Sequence, residues 1–355
     1  MKRLLCINPG STSTRIAVFS GAEKEYITNV QHSNQELEAF GGIQNQLDYR
    51  YELIKRTLTE AGLDVGRLDA VVGRGGALRP MEGGIFAINE DMLRDCRESR
   101  YAEHPSNLGP QLAVMFAEPG GLPSFIVDPP LIDEFDDLAR MSGLPSIKRK
   151  SAFHALNEKA VAQFIAEKLG RPLSELNIVT AHLGSGISVT AQKNGRCVDT
   201  NYGSGGDGPF SPERCGRLPA LNLLEAVAFD EVHSAAEWKQ SFSKKSGLVS
   251  HLGSNDALEV ERLIAAGDGR ARDAYDGMAH FIAREIAAYC TILDWQVDAI
   301  GITGAIARSE YMSGAIVREL EFICPVYLYP GEFEMEALAA GGLRALSGQE
   351  KVKTY

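Results

Sequence analysis

Apolar residues near the start of the chain bunch in two short runs, Leu4–Ile7 and Ile16–Phe19, separated by the polar stretch Asn8-Pro9-Gly10-Ser11-Thr12-Ser13-Thr14-Arg15. The pattern predicts a hairpin with a hydroxyl-rich turn. Gly10 lets backbone approach an anion, and the neighbouring hydroxyls add donors for phosphate oxygens. The plan recurs at 178–191, where two apolar strands flank Gly184-Ser185-Gly186 and Lys193-Asn194-Gly195 makes a further turn. Two such turns imply two halves serving one ligand. A third segment, Ile300 to Ala307 with Gly301 and Gly304, predicts a strand, a tight bend and a helix against which a nucleoside could lie.

Between these strands the apolar spacing changes to a helical period. Helices are predicted over 49–61, 107–117, 154–169, 271–293 and 334–346, and strands at Ala70–Val72 and Phe125–Val127. Alternating strand and helix argues for an α/β protein. The basic stretch Lys148-Arg149-Lys150 after Pro145 suits a crossover, giving 1–148 plus 334–355 as one domain and 149–333 as the other. The last nine residues are polar and are expected to fray.

Composition narrows the class. At 355 residues, two domains are the better expectation. The net charge of −11 opposes nucleic-acid binding, since no basic run interleaved with aromatics offsets it. Six scattered cysteines read as free thiols in a reducing cytosol. No apolar run reaches the length of a signal-peptide core or a membrane span.

Candidate chemistry lies beside glycine and proline: Arg74 in Gly73-Arg74-Gly75-Gly76, His104 before Pro105, Asp128 before Pro129, His154 opening a helix, His182 before the second turn, Arg214 and Glu334. Arginine suits oxyanions, and each of these residues also has a plain structural reading. A literal GxGxxG at 203–208 is rejected as a dinucleotide site, because Pro209 and Pro212 oppose the helix that fingerprint needs. Neither GxxxxGK[ST] nor HExxH occurs.

These motifs, with His104-Pro105-Ser106-Asn107, Phe153-His154-Ala155-Leu156-Asn157, Gly208-Pro209-Phe210-Ser211-Pro212-Glu213-Arg214 and Pro330-Gly331-Glu332-Phe333-Glu334, span nearly the whole chain. They resemble the acetokinase family, within the superfamily of acetate and sugar kinases, heat-shock chaperones and actin. The resemblance implies two ribonuclease-H-like (actin-like ATPase) α/β domains with a nucleotide cleft between them, ATP/ADP and magnesium as cofactors, and at least a dimer. It further implies that Gly10, Ser11, Thr12, Ser13, Thr14, His182, Gly184, Ser185, Gly186, Gly301 and Gly304 hold the nucleotide. Asn8 and Glu334 would hold the metal, with Glu332 or Glu336 as alternatives. Arg74, Arg214 and His154 would meet the reacting anions, and Asp128 would orient substrate or a metal-bound water. Arg217 leaves the arginine assignment on its loop open.

The implied reaction is ATP-dependent phosphorylation of a short-chain fatty acid, butanoate first, with acetate, propionate or isobutyrate as alternatives. The remaining alternative is a nucleotide-driven binding module without a small substrate. Two positions depart from the family pattern: Ala305 follows Gly304 where a second glycine is usual, and Arg15 replaces the commoner lysine.

Overall fold

The computed structural model describes residues 1–230 and 232–355. They form two compact units, Met1–Ile132 with Phe333–Tyr355, and Asp133–Glu332. The first contains β1 (Arg3–Pro9), β2 (Ser13–Ser20), β3 (Glu23–Gln31), β4 (Ala70–Arg74), β5 (Ile85–Ala87) and β6 (Ser124–Val127). The second contains β7 (Asn177–Leu183), β8 (Ile187–Lys193), β9 (Arg196–Thr200), β10 (Ala299–Gly304) and β11 (Val326–Pro330). The chain then returns to the first unit with the helix Glu334–Ser347 and β12 (Lys353–Thr354).

The strand orders are β12-β5-β6-β4-β1-β2-β3 and β11-β10-β7-β8-β9. In each sheet an antiparallel meander is joined to a parallel strand: β1, β2 and β3 with β4, and β7, β8 and β9 with β10. This is the repeat visible in the sequence. Register pairs Leu4 with Phe19 and Ile7 with Ile16, and all four are buried. The helices Leu47–Glu60 and Leu108–Ala117 supply Ile54, Leu58 and Leu112 to the core beside these strands. In the second unit the long helix Gly269–Ile292 buries Met278, Ile282, Ile286 and Tyr289, the face its period predicts.

The expected boundary near 148 moves to 132. Residues 133–149 are tied into the second unit by the Asp136 amide on the Val198 carbonyl at 3.1 Å and by Arg149, which pairs with Asp199 at 2.8 Å and reaches the Tyr289 hydroxyl at 3.1 Å. A basic stretch that reads as a linker is therefore an anchor.

The expectation of a fraying terminus is also corrected. β12 adds to β5, and buried Tyr355 donates to Asp95 Oδ2 at 2.7 Å while Arg79 sits over its ring. The helix Glu334–Ser347 reaches the sheet closely because Gly341 and Gly342 have no side chain. A Cβ there would come within 2.5 Å of Val127 and 2.7 Å of Val72.

Among the described residues, no helix is long and apolar enough to cross a membrane, and no cluster of three His, Cys, Asp or Glu residues could hold a metal. All six cysteines are free.

Candidate active site

In the first unit, three predicted residues from distant parts of the sequence converge. Asn8 ends β1, Arg74 ends the adjacent parallel β4, and Glu334 opens the returning helix. Asn8 Nδ2 donates to Glu334 Oε2 at 2.6 Å, Arg74 Nη1 donates to the same oxygen at 2.7 Å, and Arg74 Nη1 also reaches Asn8 Oδ1 at 3.3 Å. Of the three candidate glutamates, Glu334 is the one in this cluster; Glu336 pairs with Lys24 instead.

Asp128 follows Val127, the register partner of Arg74. Its φ of 40° is strained for a non-glycine residue, and its carboxylate accepts from the Gly84 amide at 2.8 Å. For His104 the structure shows the turn role that stands beside its candidate chemistry in the sequence. Its Nδ1 caps the following turn by accepting from the Ser106 amide, while burial and the Arg74 charge hold the imidazole below its ordinary pKa.

Ser11 and Thr12 lie exposed at the first turn, which the Gly10 amide closes by donating to the Ser13 carbonyl at 2.7 Å. Thr14 does not share that exposure. It is fully buried, with Oγ1 2.9 Å from His32 Nε2 and 3.1 Å from Arg50 Nη1, so it faces the interior rather than a ligand.

In the second unit, His154 and His182 stack in parallel, with ring centroids 3.8 Å apart. Asn157 sets the orientation of His182: its Nδ2 contacts His182 Nδ1 at 2.9 Å and Thr303 Oγ1 at 3.1 Å. A donating Asn157 amide leaves Nε2 as the protonated nitrogen of His182, the one beside Gly184. His154 Nδ1 lies 2.7 Å from Ser188 Oγ, which lies 2.5 Å from Glu158 Oε1. Glu158 is fully buried. Desolvation pushes its carboxyl up to about 8, against the pull of hydrogen bonds from Ser188, Thr190 and Thr180. Ser188 Oγ donates to Glu158 Oε1 and accepts from the His154 amide at 3.3 Å, which ties His154 to the buried carboxyl.

Arg214 comes to the second turn through a compact loop. Ser211 Oγ donates to the Ser185 carbonyl at 2.5 Å and accepts from the Arg214 amide at 3.1 Å. The Arg214 guanidinium then lies on Gly186, where a Cβ would be 2.1 Å from Nη1. That glycine serves arginine access rather than turn conformation. Burial pushes the Arg214 pKa down against the pull of the neighbouring Glu213 charge, and among the described residues no carboxylate hydrogen-bonds its guanidinium. Arg217, the alternative on this loop, is instead committed to Asp207 and Glu285.

Residues 145–325 match the acetokinase family. A protein of Listeria monocytogenes named probable butyrate kinase is 46% identical over 99% of both chains, and butyrate kinase 2 of Clostridium acetobutylicum is 44% identical over the same share. The chain belongs to the acetokinase family. It is an enzyme of that family's kind, a phosphotransferase with a carboxyl group as acceptor. Among solved structures, acetate kinase of Porphyromonas gingivalis superposes with a TM-score of 0.77 over 98% of this chain and 100% of its own. A propionate kinase of Francisella tularensis gives 0.73 over 96% and 99%. At 20% identity each, these two establish the actin-like two-domain fold.

Beside the second turn of this acetokinase chain opens a cavity of about 620 Å³, lined among others by Gly184, Ser185, Asp256, Glu261, Ile306 and Ser309. Its size suits a nucleoside. Sequence reading missed most of this wall. Asp256 and Ser309 are visible as helix N-caps, since each accepts from an amide of its following helix, but nothing in their spacing links them to one cavity. The third glycine turn is only partly at the site. Gly301 is buried in β10, where a Cβ would meet Val161 and Ile165 at 2.8 Å; it makes room for a helix, not for a nucleoside. Gly304 has φ of 93° and packs on the end of β7, delivering Ala305 and Ile306 to the cavity wall.

Proposed function

We propose that this chain transfers the γ-phosphoryl group of ATP to the carboxylate of a short-chain fatty acid, reversibly, with butanoate as the preferred acid. Full-length identity of 44–46% to proteins named butyrate kinases supports the choice of acid. A carboxylate is ionised at neutral pH and needs no general base. The obstacle is bringing two anions together.

The observation that carries the reading is the half-buried Arg214 guanidinium, which lies on Gly186 at the second turn and, among the described residues, has no hydrogen-bonded carboxylate, the neighbouring Glu213 reaching it through charge alone. Such a charge is suited to a phosphoryl group in flight. In this proposal Arg74 meets the acid's carboxylate, and His154 and His182 donate to phosphoryl oxygens. Ser11, Thr12, Ser13 and Gly10 hold phosphate at the first turn, and Gly184, Ser185 and Gly186 at the second. Asp128 orients the substrate.

Asn8 and Glu334 fit a magnesium site in chemistry: an amide oxygen and a carboxylate, both of which meet the Arg74 cation in this structure, suit an ion that keeps several waters and phosphate ligands. A bound magnesium would neutralise phosphoryl charge. The cytosol, where six free thiols persist, is the proposed compartment. A homodimer is proposed from the helix Ala220–Ala228 and its flank, where Leu221, Leu224 and Phe229 are 76%, 64% and 83% exposed. Sedimentation equilibrium at the dimer mass is the expected result.

The test is acyl phosphate trapping with hydroxylamine across acids from acetate to hexanoate, with ATP and magnesium. Product should peak at butanoate or isobutyrate. No product with any acid would overturn the reading in favour of a binding module.

A further inference from the structure

Behind the first turn lies a charge that the reaction scheme above does not use. Arg50, on the helix Leu47–Glu60, is fully buried. Its Nη1 donates to the Gly10 carbonyl at 2.8 Å, the Ser13 carbonyl at 3.3 Å and Thr14 Oγ1 at 3.1 Å. Its Nη2 donates to the Ser11 carbonyl at 3.1 Å and Gln46 Oε1 at 2.8 Å, and Nε to Gln46 Oε1 at 3.2 Å. Every one of these acceptors is neutral, and no carboxylate pairs with Arg50 among the described residues. His32, which shares Thr14 with it, cannot offset the charge. Burial and Arg50 itself push that imidazole down to about 4, so it is neutral at physiological pH.

A buried guanidinium without an anion is costly, and proteins rarely carry one without a purpose. The geometry supplies the purpose. Among the described residues no peptide bond is cis, and across a trans peptide the N–H points opposite to the preceding C=O. Drawing the Gly10 and Ser11 carbonyls inward onto Arg50 therefore turns the Ser11 and Thr12 amides outward. Two successive outward amides at an exposed tip, backed by a buried positive charge, make an anion-binding concavity.

We propose that Arg50 is a positioning residue of the first phosphate turn: it fixes the outward direction of the Ser11 and Thr12 amides and supplies a buried charge whose counter-ion is the bound polyphosphate. The inference rests on the proposed phosphate role of that turn. It adds a residue that never touches the ligand yet sets both the geometry and the field there.

The experiment compares the wild type with Arg50→Lys and Arg50→Gln in the full-length enzyme. Inorganic tripolyphosphate is titrated while the amide resonances of Ser11 and Thr12 are followed, and the Michaelis constants for ATP and butanoate are measured. In the wild type both amides should shift on titration. In Arg50→Gln the shifts should disappear and KM for ATP should rise about tenfold or more, with KM for butanoate within about twofold; Arg50→Lys, which keeps the charge and loses the fork, should fall between.

Wild-type amides that ignore tripolyphosphate would overturn the phosphate role of the turn itself. Wild-type shifts that persist in a folded Arg50→Gln with unchanged KM for ATP would overturn the Arg50 inference alone. If Arg50→Gln fails to fold, Arg50→Lys decides by the same two readouts.

Discussion

Single side chains carry the chemistry, and the clearest is Arg214. Arg214→Ala should lower kcat by about 100-fold or more while ATP still binds, measured by acyl phosphate trapping alongside nucleotide titration. Gly186→Ala should mimic that loss in a folded protein, because the new methyl would occupy the place of the guanidinium. Near-normal turnover in either variant would contradict the assignment.

Glu158 gives a pH signature. Its carboxyl is pushed from the ordinary 4.5 up to about 8, so between those values the folded state holds a proton that the unfolded state has released. Its contribution to stability is complete below pH 4.5 and is lost as pH rises through about 8, a term on the order of a few kcal/mol. Glu158→Gln should flatten that decline, seen as a smaller fall in melting temperature between pH 5 and 8.5. An unchanged decline would mean that the group is not titrating there.

At the level of elements, glycine and capping signals were read well where their cause is local. The helix Ala155–Leu169 stops at Gly170 with φ of 64°, and both hairpins form where the apolar runs and turns predict them. The C-terminal segment failed as a local reading because its order comes from β5 and Asp95, which lie more than 250 residues earlier in the chain. Deleting residues 351–355 should therefore cost about 2–4 kcal/mol, from the lost burial of Tyr355 and its hydrogen bond, measurable by urea denaturation. A truncated protein as stable as the full chain would show that β12 is an ornament. Gly301 was misread for the complementary reason: a glycine in a strand signals close approach, but sequence does not say whether a ligand or another helix approaches.

For the whole molecule, one CH₂ group is worth only about 0.8 kcal/mol, so selectivity among neighbouring acids should be graded rather than absolute, which the acid series above would reveal as a smooth peak. Local pattern is enough to read the two-fold repeat of hairpin and parallel strand, the α/β class, the turns and nearly all the charged groups of the candidate site. These depend on periodicity and short-range backbone preference, which are written in adjacent residues. Long-range packing alone selects which glutamate joins Asn8 and Arg74, turns Thr14 inward, spends Arg217 on Asp207 and Glu285, and sets Arg50 behind the first turn. Each of those outcomes depends on which distant groups share a few ångströms of poorly solvated space, and burial and pairing there set a charge's role in a way that no local pattern records.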